Sequence, residues 1–164
     1  MRKSMVTSLA VCAALAVSTA AWAQTPPPPP MYGPSINLEQ AKKAVEAAMA
    51  EAKKNGWFMA VTAVSIGGYT VHASTMDGTQ FASIQISQHK AKAAATFRRP
   101  TKVFEDRVAS GAAGIAVLSL DGVIASEGGL PIMKDGKVIG GLGCSGGTGQ
   151  QDGLACKAGV EAVQ

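Results

Sequence analysis

Two histidines, with a group of cations close to one of them, are the residues of this 164-residue chain best suited to chemistry. His89 is followed directly by Lys90, and Arg98 and Arg99 come two to three helical turns later. A histidine with nearby cations is what haem iron and the haem propionates require, so His89 is a candidate metal ligand. His72 is the second candidate axial ligand, and a hydrogen-bonded structural role is the alternative for either histidine.

Acid–base chemistry has fewer candidates. Lys90 and Asp152 are the pair that we would assign to it, and a structural bridge from Lys90 to Asp152 or Glu127 is the alternative. The sequence contains no HExxH or phosphate-binding P-loop motif, and no Ser-His-Asp order can be assembled from it. Whether the protein is an enzyme therefore does not follow from its sequence.

Glycine is concentrated near the C-terminus, where residues 127–152 hold nine of the nineteen glycines. Glycine inside a strand usually marks the close approach of another backbone or of a ligand. A glycine-rich loop between a strand and a helix offers amides to a carboxylate or phosphate. Tight turns together with close helix or subunit packing are the alternative explanation.

Helices and a hairpin must position these residues. Asn37 and Gln40 form a capping-box pattern, and apolar residues then recur at helical spacing up to residue 54. Thr101 is expected to cap a third helix that ends near Ala109. The predicted elements of this first half are helix 38–54, strands 57–65 and 69–75, helix 81–97 and helix 101–109.

The second half is predicted to be mainly strand. Asp152 should cap a C-terminal helix over residues 153–162. With the element order α-β-β-α-α-β-β-β-α, the fold class is α+β, an antiparallel sheet sandwiched by helices. The predicted strand segments are Ile115–Leu120, Val123–Ser126, Leu130–Met133 and Lys137–Ser145, with turns at Asp121–Gly122 and Asp135–Gly136.

The N-terminus has the three-part pattern of a secretory signal peptide, residues 1–23. Arg2 and Lys3 precede a short apolar stretch, and Ala21-Trp22-Ala23 is a small-x-small cleavage site. We expect cleavage after Ala23, and an uncleaved anchor helix is the alternative. The mature protein is then periplasmic or secreted, with no stable membrane insertion after cleavage.

The mature chain divides into a proline-rich tether, residues 24–36, and one domain, residues 37–164. Its net charge is 15 − 2 − 11 = +2 once the two leader cations are removed, which excludes a nucleic-acid partner. Cys144 and Cys156 are its two cysteines. They either pair in an oxidising compartment or remain as two small buried side chains.

Several motifs in one order resemble the GlcG/HbpS-like family, and they cover the chain from about Leu38 to Val163. That resemblance implies a five-stranded antiparallel sheet between helices, similar to profilin and roadblock domains and to the C-terminal domain of corrinoid adenosyltransferases. It also implies a symmetric homo-oligomer. The motifs are Met76-Asp77-Gly78, Ser83, Lys90-Ala91-x-x-Ala94, Arg99-Pro100-Thr101, Gly128–Ile132, Val138–Gly147 and Gln151-Asp152.

The resemblance implies haem or another tetrapyrrole as the ligand, since secreted members of the family bind haem. Lys90, Gly129, Ser145, Gly146 and Asp152 match the family pattern, and we place them around a shared pocket. Lys90 and the two arginines are then the candidate propionate partners. The alternatives are an enzyme or accessory protein acting on a small organic acid or aromatic metabolite, and an assembly protein without a small-molecule ligand.

Overall fold

The computed structural model describes residues 27–164 and confirms the α+β class. The predicted signal peptide and the first residues of the predicted tether lie outside the described residues. The elements in chain order are α1 (Leu38–Lys54), β1 (Ala60–Ser65), β2 (Thr70–Thr75), α2 (Ala82–Phe97), α3 (Lys102–Ala109), α4 (Ala112–Ile115), a 3₁₀ helix (Ala116–Ser119), β3 (Gly129–Lys134), β4 (Lys137–Ser145) and α5 (Gly149–Glu161).

The strands form one antiparallel sheet in the order β2-β1-β4-β3. Within the described residues the sheet has four strands, so the expectation of five strands is wrong. β1 and β4 lie in the centre and are almost entirely buried. Asp135 and Gly136 both have positive φ at the predicted turn between β3 and β4, as a two-residue hairpin of the primed type requires.

Helices cover both faces of the sheet, as predicted. Val61 and Ala63 of β1 pack with α1 and α5 in the main hydrophobic core, to which α1 contributes a buried stripe at helical spacing. Val64 and Thr62 point to the other face, where Val64 packs on Ala91 of α2. The capping box at the start of α1 is formed as the sequence predicts.

The glycines of β4 are explained by the close packing of α2. A Cβ atom at Gly143 would fall on the backbone carbonyl of Ser87, and one at Gly141 would fall on that of Ala91. Side chains alternate across a strand, so Leu142 lies on the opposite face in the main core. Close helix packing is therefore the correct explanation of these two glycines.

The predicted strands Ile115–Leu120 and Val123–Ser126 are wrong. The first is replaced by α4 and the 3₁₀ helix, which pack chiefly on α3, and the second has no regular secondary structure. A short apolar run does not distinguish a strand from a helix, and only a free sheet edge would make it a strand. The turn at Asp121–Gly122 is formed, with Gly122 at φ +79°.

Two predicted helix caps are also corrected. α5 begins four residues before the predicted start, and its cap is Thr148, which forms a capping box with Gln151. Asp152 lies in the first turn instead, because its carboxylate faces a buried lysine. Thr101 precedes α3, but its hydroxyl accepts the Gly129 N–H at 2.9 Å and makes no cap bond to α3.

The end of the predicted tether lies against the domain. Residues 31–36 bond to the start of β4, with Tyr32 bridging Val138. The Tyr32 hydroxyl donates to the carbonyl of Thr96 at 2.9 Å, at the C-terminal end of α2. Arg98 lies 5.1 Å from the centre of the Tyr32 ring and donates to the Pro30 carbonyl. These contacts fix where the proline tract leaves the domain.

Cys144 of β4 and Cys156 of α5 form a disulfide, with their Cα atoms 5.7 Å apart. The sequence left this pairing open. The bond joins the central strand to the last helix, and both residues are fully buried in the main core. Among the described residues, no helix has the length and apolar character needed to cross a membrane.

Candidate functional site

His72 lies in a groove of about 490 Å³ between α1 and β2, which we call the His72 groove. His72 pairs with Ala63 across the β1–β2 ladder, so its side chain is on the α1 face of the sheet. It is half-buried. The groove is lined by Val45, Glu46, Met49, Ala50, Lys53, His72, Ser74 and Met76.

The walls of the His72 groove are mixed in chemistry. Met49 and Met76 are partly buried and pack against the main core, so they supply thioether and apolar surface. Lys53 is exposed at the end of α1 and also lines an adjoining groove beside Trp57 and Phe58. An imidazole, two thioethers and a cation therefore lie around one opening at the edge of the sheet.

His89 lies on the other side of the molecule. It is an exposed residue of α2, and α2 packs on the sheet face opposite to α1. Arg98 and Arg99 follow nine and ten residues later, roughly 13 Å along the helix axis. Arg98 binds the Pro30 carbonyl, and Arg99 donates to the Phe97 carbonyl. The predicted group of His89 with these two arginines is therefore not assembled around one opening.

Lys90 and Asp152 form a buried ion pair, with 2.7 Å between Lys90 Nζ and Asp152 Oδ2. The two residues are 1% and 2% exposed. Lys90 Nζ also donates to the Cys144 carbonyl at 3.3 Å, and the Gly147 N–H donates to Asp152 Oδ1 at 2.9 Å. Each charge therefore has a partner inside the protein. This favours a structural bridge between Lys90 and Asp152 over acid–base chemistry with a bound substrate.

Burial raises the pKa of Asp152 above its usual value. The hydrogen bond and the charge of Lys90 lower that pKa, as do the amides of Gly147 and Gly146, but burial has the larger effect. Water cannot solvate either charge at this depth, so each residue is stable in its charged form only while the other is present.

The other residues placed in a shared pocket surround this ion pair. Gly129 packs on the backbone of Lys90, and Ser145 bonds through its hydroxyl to Ser83. Gly146, at φ +153°, packs on the backbone of Phe58. The amides at the start of α5 are used by Asp152 and by the capping box. Of these residues, Ser145 and Asp152 are buried in the fold, whereas Gly129 also lines an open groove.

A second groove, of about 520 Å³, lies above this ion pair. Gly128 and Gly129 line it, and Lys102 and Lys157 contribute cations to its walls. Gly128 separates it from the ion pair, since a Cβ atom there would lie 2.9 Å from Lys90 Nζ. Across residues 27–164, no group of three or more His, Cys, Asp or Glu side chains is arranged to hold a metal ion.

The sequence reasoning missed Met49 and Lys53 as residues of the His72 groove. Both lie within α1, whose helical pattern by itself indicates only that Met49 packs against the core. The available signal was the helical spacing of residues 45, 49 and 53, which places them on one side of α1. Their meeting with β2 depends on tertiary packing.

An antiparallel sheet with helices on both faces defines this protein as a small α+β sandwich, with a ligand-sized groove at its edge strand. The chain belongs to the HbpS-like family: the model of that family, described as haem degrading protein HbpS-like, matches residues 36–161. This confirms the resemblance seen in the motifs.

Two relatives have similar sequences. Protein GlcG of Escherichia coli K12 is 36% identical over 110 residues, which are 67% of this chain and 81% of GlcG. An uncharacterized 15.0 kDa protein from the dhaT-dhaS intergenic region of Citrobacter freundii is 34% identical over 129 residues. That match covers 77% of this chain and 91% of the relative.

Two crystal structures have the same fold. A double mutant of Streptomyces reticuli HbpS superposes with a TM-score of 0.73 at 25% identity, covering 94% of this chain and 99% of HbpS. PduOC in complex with haem superposes with a TM-score of 0.71 at 26% identity, covering 79% of this chain and 96% of PduOC.

We predict that Lys90→Met lowers the free energy of unfolding by about 3–5 kcal/mol, because it leaves the Asp152 carboxylate buried without a counter-charge. Adding Asp152→Asn should recover most of that loss, since the amide oxygen still accepts the Gly147 N–H. Urea unfolding followed by Trp57 fluorescence measures both changes. The control is Lys42→Met at an exposed pair with Glu39, and an equal loss there would contradict the prediction.

Proposed function

We propose that this protein is an exported haem-binding protein in which His72 is the ligand that the chain supplies to the iron. The observation that carries the proposal is the position of His72, half-buried at the edge of the sheet in a groove whose walls combine apolar and charged side chains. Imidazole is a common axial ligand of haem iron. The apolar part of the lining, which includes Met49 and Met76, would contact the haem macrocycle.

The donor set of the His72 groove fits haem. His72 provides the imidazole, and Met49 and Val45 provide apolar surface next to it. Lys53, at the exposed end of α1, would pair with a propionate. Haem would supply redox-active iron when bound, and these residues would hold the group.

Membership of the HbpS-like family and the likeness to PduOC, whose crystal structure contains haem, support haem as the ligand class. His89 remains the alternative ligand. It is exposed on α2, and Lys90, the cation next to it, is paired with Asp152. The His72 groove is therefore the better site, because His72 is more buried than His89 and Lys53 lies in the same groove.

We predict that the purified protein binds haemin saturably and that His72→Ala weakens binding at least about tenfold, which is ~1.4 kcal/mol. The loss follows from removal of the imidazole that binds the iron. A haemin titration followed by Soret absorbance measures it. His89→Ala is the matched control and should bind like the unmodified protein.

The same titration separates the alternatives. If His89→Ala loses binding while His72→Ala keeps it, the ligand lies on α2 and the His72 assignment fails. Weak, non-saturating binding that survives both changes would favour the second candidate, a protein for small organic acids. For that function the groove beside Gly128 and Gly129, with Lys102 and Lys157, is the site with suitable charge.

Export is the second part of the proposal. It is supported by the signal-peptide pattern of residues 1–23 and by the disulfide between Cys144 and Cys156, since such bonds persist in oxidising compartments. We predict that mass spectrometry of the protein from the periplasmic or culture fraction finds Gln24 as the first residue. A cytoplasmic protein that keeps Arg2 and Lys3 would contradict export.

We also propose a homo-oligomer that uses the segment formed by α4 and the 3₁₀ helix. This segment packs chiefly on α3 and leaves Ile115, Leu118 and Leu120 about half-exposed, at 54%, 53% and 48%. Aliphatic side chains grouped in this way on a surface are typical of a subunit contact.

We predict that Leu118→Glu reduces the molar mass measured by size-exclusion chromatography with light scattering, because it places a charge in the subunit contact. Leu38→Glu is the control, since Leu38 is similarly exposed but is the first residue of α1, outside this segment. A monomeric unmodified protein would contradict the oligomer. An unchanged mass of the Leu118 variant would contradict this contact surface.

A further inference from the structure

Cations are grouped at the end of the domain where the proline tract joins it, which we call the tether end. The β1–β2 turn and the β3–β4 hairpin both lie there, because Ser65 at the end of β1 pairs with Gly140 near the start of β4. α2 also ends there, since its last turn accepts a hydrogen bond from Tyr32 of the tether. The cations of the tether end, each partly or fully exposed, are Lys92, Arg98, Lys134 and Lys137.

The charges of the β3–β4 hairpin are not compensated by the protein. Lys134 and Lys137 are exposed and lie directly opposite each other in the ladder, where like charges repel. Neither lysine forms an ion pair within residues 27–164, and the same holds for Lys92 and Arg98. An anion bound close to both hairpin lysines would relieve their repulsion.

A cavity of about 400 Å³ lies beside these two lysines, between the hairpin, the tether and the start of α1. Asn37 and Gln40 add amide groups to its lining, and Asp135 adds one carboxylate. Gly33 of the tether packs on the stem of Lys137, since a Cβ atom there would lie 3.1 Å from Lys137 Cβ. The cavity therefore has the volume and the cations to receive the phosphate of a lipid headgroup.

Exposed apolar side chains accompany the cations. Tyr69 at the β1–β2 turn and Met31 in the tether are both largely exposed. Tyrosine is enriched at membrane interfaces, where its ring lies at the level of the headgroups. Phe81 is similarly exposed at the other end of the domain, where α2 begins, but Lys54 and Lys102 are paired there with carboxylates. Unpaired cations and an aromatic ring therefore occur together at the tether end.

We propose that the tether end docks on a membrane surface that contains anionic lipids, with Lys134 and Lys137 as its main contacts. Charge complementarity supports this partner, since an anionic surface attracts each nearby lysine or arginine. The connection of the chain supports it as well. The segment before Pro27, with its apolar stretch, joins the domain at the tether end and would bring this end to the membrane during export. The docking does not depend on haem.

Vesicle flotation tests the proposal, with processed protein from the periplasmic or culture fraction and without haemin. The protein should float with vesicles of phosphatidylcholine and phosphatidylglycerol, and it should stay in solution with phosphatidylcholine alone. Raising the salt concentration from about 0.1 M to about 1 M should release it, because the Debye length falls from ~10 Å to ~3 Å. Lys134→Gln combined with Lys137→Gln should lower the partition coefficient at least about tenfold.

Lys54→Gln combined with Arg107→Gln is the matched control, because it removes two exposed cations outside the tether end. It should float like the unmodified protein. A second pair of variants places the same reporter at each end of the domain. Tyr69→Trp should show a blue shift of its fluorescence on addition of the anionic vesicles, and Phe81→Trp should not.

The outcomes that overturn the proposal are distinct. No flotation, or equal flotation with both kinds of vesicle, overturns docking on anionic lipid. An equal loss in the two double variants shows a response to net charge alone and overturns the tether end as the contact. A blue shift in Phe81→Trp instead of Tyr69→Trp places the lipid at the other end of the domain. The haemin titration is a separate measurement, so either proposal can fail while the other stands.

Discussion

The contact of α2 with β4 is the constraint on which the rest of the domain depends. Gly141 and Gly143 have no side chains to hold the helix away, so the backbone of α2 lies directly on the strand. The next residue in the strand, Leu142, fills the opposite face below α1 and α5. Because glycine alternates with larger residues along β4, the strand packs closely against α2 on one face and through side chains against α1 and α5 on the other.

This close contact makes the two faces of the sheet unequal. Under α2 the space is filled by backbone and by small residues such as Ala91 and Ala95, and it leaves no room for a ligand. On the other face α5 covers β3 and β4 while α1 covers β1 and β2. β2 is an edge strand, so the boundary between it and α1 is open to solvent. The groove that holds His72 is a consequence of this arrangement.

The sequence predicts those features that are encoded locally. The capping box at Asn37, the turn at Asp135–Gly136 and the helical pattern of α2 each lie within a few residues, and each is formed. Thr148 and Gln151 carried the same kind of signal for α5. Asp152 is also a good cap residue, so the local pattern does not decide between Thr148 and Asp152.

Features that depend on distant contacts could not be obtained in the same way. The apolar run at 115–120 has the composition of a strand, but nothing local shows whether a sheet edge is free for it. The burial of Asp152 depends on Lys90, which is 62 residues away in the chain. The His72 groove likewise joins α1 to β2, so its members are not neighbours in any local pattern.

The centre of the fold and its candidate site are therefore built on different principles. At the centre, the ion pair of Lys90 with Asp152 and the disulfide from Cys144 to Cys156 tie α2, β4 and α5 together. Every charge there has a partner within the protein, which fixes the arrangement and leaves little scope for chemistry. At the edge, His72 keeps an accessible imidazole. Changes to the lining of its groove should therefore alter binding without disturbing the buried centre.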